Sequence, residues 1–174
     1  MGKTKEMILM AILASMGSIL GLFESMIPLP FIVPGLRLGF SNIVVVVSLI
    51  CFGFKKGLIV SLLKSILLML VSGNVSSFIY SFSGAFLSGL AMIIALRYGK
   101  KFFSIIGVSI IGSSFHNIAQ VSISSFILGN IMMFSYLPIL LLIGIFTGFF
   151  VGISSIYILN ILKNKIALSM EDWV

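Results

Sequence analysis

The chain has 174 residues, of which 60% are hydrophobic and 9% charged, with eleven basic and four acidic side chains and a formal net charge of +7. A soluble domain has about a quarter of its residues charged, so this composition excludes a water-soluble fold and leaves one membrane domain over residues 1–174. The positive charge then reads as a topology signal and an attraction to an anionic leaflet, not as a nucleic-acid surface.

A hydrocarbon core about 30 Å thick takes about 20 apolar residues per helix. Six spans fit the chain, at 7–23, 38–54, 57–72, 78–96, 102–128 and 136–162. The basic residues sort them: Lys3 and Lys5 precede the first, Lys55 and Lys56 follow the second, Arg97, Lys100 and Lys101 follow the fourth, and Lys163 and Lys165 follow the sixth. The intervening turns at 24–36, 73–76 and 129–135 have no lysine or arginine before Arg37. Cytoplasmic loops are enriched in lysine and arginine. The expected fold is therefore an all-α bundle of six transmembrane helices in the cytoplasmic membrane, with both termini in the cytoplasm.

The first helix is rich in small residues. Ala11 and Ser15, Ala14 and Ser18, and Gly17 and Gly21 each stand four apart, a spacing that lets another helix approach closely. Either packing within the bundle or docking of a partner subunit accounts for it. The apolar run continues to Phe23 without a convincing cleavage site, so a retained helix is expected rather than a signal peptide. The segment that follows holds Pro28, Pro30 and Pro34 and reads as an ordered external loop, of the composition a lid would have. Cys51, the single cysteine, reads as a small packing residue. The tail 169–174, with Glu171 and Asp172, reads as a solvated end.

Ionisable residues inside membrane helices cost about 2.5–3.5 kcal/mol on insertion scales and mark functional sites. Glu24, Arg37, Lys64 and His116 are the ionisable candidates, with Asn42, Asn74, Asn117 and Gln120 as uncharged companions. Depths counted at about 1.5 Å per residue bring Glu24, Arg37, Asn42, Asn74, His116 and Gln120 to one outer layer, with Lys64 near the midplane. Convergent polar groups in one half of an apolar bundle imply a substrate pocket open to the outside. Alternatives remain at each position. Glu24 and Arg37 read equally as interfacial residues, and His116, Asn117 and Gln120 as bridges between helices. Lys64 forms the pocket floor, pairs with a carboxylate or snorkels to the cytoplasm. With so few acids, a residual positive field in the pocket would favour a carboxylate or phosphate ligand.

Catalysis is not expected. The chain has no P-loop sequence, no aspartate-rich cluster and no acid for a serine–histidine triad. One histidine and one cysteine cannot build a usual zinc site. No metal and no cofactor are expected.

Three stretches carry a family resemblance. Pro34-Gly-Leu-Arg37-Leu-Gly39-Phe-Ser-Asn42 resembles the proline-glycine-x-lysine-leucine-glycine-x-x-asparagine signature of the Gx transporter family, also labelled heptaprenyl diphosphate synthase component I. Ser81-Phe-Ser-Gly84-Ala-Phe-Leu-Ser88 resembles its fourth-helix motif, and Phe115-His116-Asn117-Ile-Ala-Gln120 its phenylalanine-histidine-asparagine-x-glycine-glutamine motif. Arg37 replaces the usual lysine, and Ala119 stands where glycine is common. The family is similar to the substrate-binding S components of energy-coupling factor (ECF) transporters. The resemblance implies a pocket near the outer side, a lid in the first external loop, and docking through Ala11 and Ser15 onto a transmembrane coupling subunit served by two cytoplasmic ATPases. The cargo would be a small vitamin, cofactor precursor or related molecule. The family's other label implies an alternative, a non-transporting membrane component linked to isoprenoid or quinone synthesis or to quinone- and flavin-linked electron transfer.

Overall fold

The computed structural model describes residues 2–27, 37–99 and 102–166, and the side chains of this set up to Asn164. The proline-rich segment expected as a lid, Lys100, Lys101, the Lys165 side chain and the acidic tail lie outside the described residues. Among those described there are five α-helices and no strand: α1 (Lys3–Met26), α2 (Asn42–Ser72), α3 (Val75–Tyr98), α4 (Ile105–Leu128) and α5 (Leu137–Ile166), with a 3₁₀ stretch, Ile131–Tyr136, leading into α5.

α1, α2, α3 and the stretch Ile131–Asn164 are each long and apolar enough to cross a membrane. α4 matches α1 and α3 in length at 24 residues, but its apolar run is interrupted by His116, Asn117 and Gln120. The outward surfaces between the helix ends are largely apolar; Phe23, Phe146 and Phe126 are 64%, 69% and 85% exposed. Such a surface is stable against lipid and not against water. The protein is a multi-pass helical membrane bundle.

The expected second and third helices form the single element α2, which is broken at Gly53. Gly53 has φ 78° and ψ 176°, a backbone conformation open essentially to glycine alone. The chain doubles back there. A Cβ on Gly57 would lie 3.4 Å from the Cα of Leu49, eight residues away, where a straight helix would separate them by about 12 Å. Lys55 and Lys56 thus fall in the first turn of the returning limb and not in a linker between two helices.

The first limb, residues 42–52, is about 16 Å long, short of the hydrocarbon thickness. Asn42 and every residue from Val44 to Ile50 are buried. A helix that is apolar all round belongs inside a bundle, and the run Val44–Val47 supplies an apolar side chain in every direction. The core forms around this limb, from Leu9, Leu13 and Ala14 of α1, Val60 of the second limb, Ala85, Met92 and Ala95 of α3, Val108 of α4, and Val151 and Leu159 of α5. α4 packs between α3 and α5, and α1 packs along α2.

The two ends of the bundle differ. At one end Glu6 pairs with Lys56, and Glu6, Gly53, Lys56 and Arg97, with Leu49 and Leu96, are among the residues lining a cleft of about 480 Å³. Glu24, Ser41 and Gln120 lie toward the other end.

Candidate functional site

The short limb of α2 begins inside the bundle, and that places its first residues among polar side chains from three other elements. Lys64 comes eleven residues after Gly53 and Ser41 twelve before it, so the hairpin brings them level. Lys64 Nζ donates to Ser41 Oγ at 3.2 Å. The Ser41 N–H donates to Glu24 Oε1 at the C-terminal end of α1, at 2.6 Å. Both Lys64 and Asn42 are fully buried, and Glu24 and Arg37 are 3% and 6% exposed. Lys64 does not snorkel: its head points inward to Ser41. Among the described residues no carboxylate lies within salt-bridge distance of it. Glu24 acts on Lys64 and Arg37 at longer range.

Arg37 precedes α2 in irregular chain. Its backbone N–H donates to Gln120 Oε1 of α4 at 2.9 Å. That contact fixes the amide, so Gln120 Nε2 faces His116 Nε2 at 2.8 Å and donates to it. The imidazole nitrogen facing Gln120 is therefore an acceptor, and the ring proton sits on Nδ1. His116 packs closely against α3 because Gly84 has no side chain: a Cβ there would clash with the ring. On its other side the ring touches Gly39, which has φ +90° and whose Cβ position is 3.3 Å from both His116 Cδ2 and Asn42 Nδ2. α1 closes over the assembly in the same way. A Cβ on Gly17 would lie 2.6 Å from Lys64 Cδ, and one on Gly21 would lie 3.4 Å from Arg37 Nη1. The side chains expected to line an outward pocket are buried here, with the glycine face of α1 packed against Lys64 and Arg37.

Several buried atoms in this cluster lack a hydrogen-bond partner: Glu24 Oε2, Arg37 Nη1, His116 Nδ1 and both amide atoms of Asn42. Around it, Ser65 donates to Ser81 at 3.0 Å and Ser124 to the Tyr80 hydroxyl at 3.2 Å, which carries a polar seam from α2 through α3 to α4.

Two of the expected residues stand apart. Asn74 is exposed, and its side chain caps α3 by accepting from the Ser76 N–H at 2.9 Å; it lies outside the cluster. Asn117 is buried but turns to α5, where its Nδ2 donates to the Leu140 carbonyl oxygen beside Gly144. Ala11 and Ser15 lie on the exposed face of α1, while Ala14, Gly17, Ser18 and Gly21 face inward. Sequence reasoning missed Ser41, which joins Lys64 to Glu24, and Gly39 and Gly84, which hold the imidazole. All three stand inside the quoted motifs, and that was their only signal.

The three motifs thus meet at one imidazole: Arg37, Gly39 and Asn42 from the first, Gly84 from the second, His116 and Gln120 from the third. The heptaprenyl diphosphate synthase component I family matches residues 13–158. The chain belongs to this family. In the heptaprenyl diphosphate synthase component I fold seen here, the matched region runs from the inward face of α1 to α5 and takes in every residue of the cluster. No curated protein and no solved structure matches the chain.

Proposed function

We propose that this chain is the membrane-embedded substrate-binding (S) subunit of an ECF-type ATP-driven importer in the cytoplasmic membrane, taking up a small vitamin, cofactor precursor or related molecule and catalysing no reaction itself. The observation that carries the reading is the convergence of three separated motifs on one buried cluster whose polar atoms are incompletely partnered. Buried polar atoms without partners are costly, and a bundle held together only for packing would not gather them. In this reading each limb of α2 counts as a pass, giving six, with Lys3, Lys5, Lys56 and Arg97 at the cytoplasmic end and Glu24, Ser41 and Gln120 toward the outside. The outward small residues Ala11 and Ser15 offer a close-approach surface to a transmembrane coupling subunit, which works with two cytoplasmic ATPases.

The test is gentle affinity purification from native membranes with mass spectrometry of the partners. Recovery of a coupling subunit and its ATPases, lost in Ala11→Leu/Ser15→Leu while the melting temperature holds, supports the importer. Recovery of a soluble prenyl synthase or a redox protein instead supports a second reading, which the family's own description favours: a membrane component of an isoprenoid or quinone system that transports nothing.

A further inference from the structure

We propose that the cluster around Ser41 binds an oxyanion, a carboxylate or a phosphate group, as the charged part of its ligand. This deepens the binding role just stated and rests on it. The argument is one of charge and of unused donors. Among the described residues the cluster holds two cationic side chains, Arg37 and Lys64, and one carboxylate, Glu24. Glu24 commits Oε1 to the Ser41 N–H and lies beyond salt-bridge range of both cations. One formal positive charge is therefore unmatched in a site where Lys64 and Asn42 are fully buried.

The free donors belong to the same residues. Arg37 Nη1 and Asn42 Nδ2 are buried with no acceptor, and Lys64 Nζ uses one of its three donors on Ser41. A buried cation is tolerated when it is both paired and hydrogen-bonded. An oxyanion supplies the missing charge and the missing acceptors together. A neutral ligand supplies hydrogen-bonding groups but not the charge, and a cation worsens the imbalance. The first limb of α2 starts at Asn42, and the positive end of its dipole adds to the preference. Arginine at position 37, with its planar fork, suits the geometry of a carboxylate or phosphate.

The test uses the full chain in nanodiscs of zwitterionic phosphatidylcholine, so that no anionic lipid competes. Melting temperature is titrated with inorganic phosphate, with acetate and with neutral N-methylacetamide at constant ionic strength. The expected result is a saturable rise with phosphate or acetate, whichever is the better fit, and none with N-methylacetamide. Arg37→Gln should raise the half-saturating concentration at least about tenfold, and Glu24→Gln, which removes the competing carboxylate, should lower it. A flat wild-type response to both anions overturns the proposal, even where a variant fails to fold. So does a response that neither variant moves. The importer reading fails separately, by absence of the coupling subunit and ATPases from the purified complex, and an anion response in that case keeps this proposal standing.

Discussion

At the scale of single residues, the polar cluster is built as much by missing side chains as by present ones. Gly17 lets α1 lie on the stem of Lys64, and Gly84 lets α3 lie on His116. Gly84→Val is expected to destabilise the protein by about 1–3 kcal/mol through overpacking, read as a lower melting temperature in nanodiscs. The Gly17 contact gives a sharper forecast because its partner is one side chain. Gly17→Ala should lower the melting temperature in the wild type but much less in a Lys64→Ala background, a coupling of about 0.5–3 kcal/mol in a double-mutant cycle; additive effects would show that the contact is not what constrains position 17. Lys64→Met should fold. Burying an ammonium without a paired carboxylate is costly, and methionine removes that cost, so an unfolded Lys64→Met protein would mean that the bond to Ser41 outweighs the cost of burying the ammonium.

At the scale of elements, the break in α2 decides where the site lies. A straight helix of 31 residues would place Ser41 and Lys64 about 34 Å apart; the hairpin at Gly53 brings them into hydrogen-bond contact. Gly53→Ala forces a side chain into a backbone region that only glycine occupies freely, at about 1–3 kcal/mol. The expected outcome is a lowered melting temperature and a disturbed site, although position 53 has nothing within 4 Å of its Cβ direction and borders the opposite end of the bundle. A variant that melts like the wild type would show that the turn does not need this conformation. The hairpin is only half legible in the sequence. Lys55 and Lys56 mark a turn, but the apolar spans place it after Phe54, with the two lysines as the link. The structure needs no such linker, since one glycine reverses the chain.

At the scale of the whole molecule, the alternation of basic and non-basic ends predicts which positions face which side. On a Cys51→Ser background, single cysteines at Lys5, Lys55 and Arg97 should react with an impermeant maleimide only in inverted vesicles, and those at Ser76 and Met132 only in right-side-out cells. Labelling of position 55 from outside would make α2 a single crossing and contradict the hairpin. The same scale explains why the expected polar layer is packed as tightly as it is. Counting residues gives depth along a helix but not the distance between helices. That distance is set by Gly17 and Gly21, which draw α1 onto Lys64, Leu68 and Arg37.

The sequence by itself determined the membrane class, the positions of the apolar runs, and the shortlist from which the buried cluster is drawn, because hydropathy and the cost of burying charge act on each residue locally. It could not separate Asn42 and Gln120, which enter the cluster, from Asn74, which caps a helix, or Asn117, which bonds to α5. All four are amides close to a helix end or one turn apart, and their chemistry is the same. Only the tertiary structure decided between them, through the facing of each helix and the register of the Gly53 hairpin. Those depend on which backbones can touch, and so on glycines whose effect is felt by a neighbour distant in the chain.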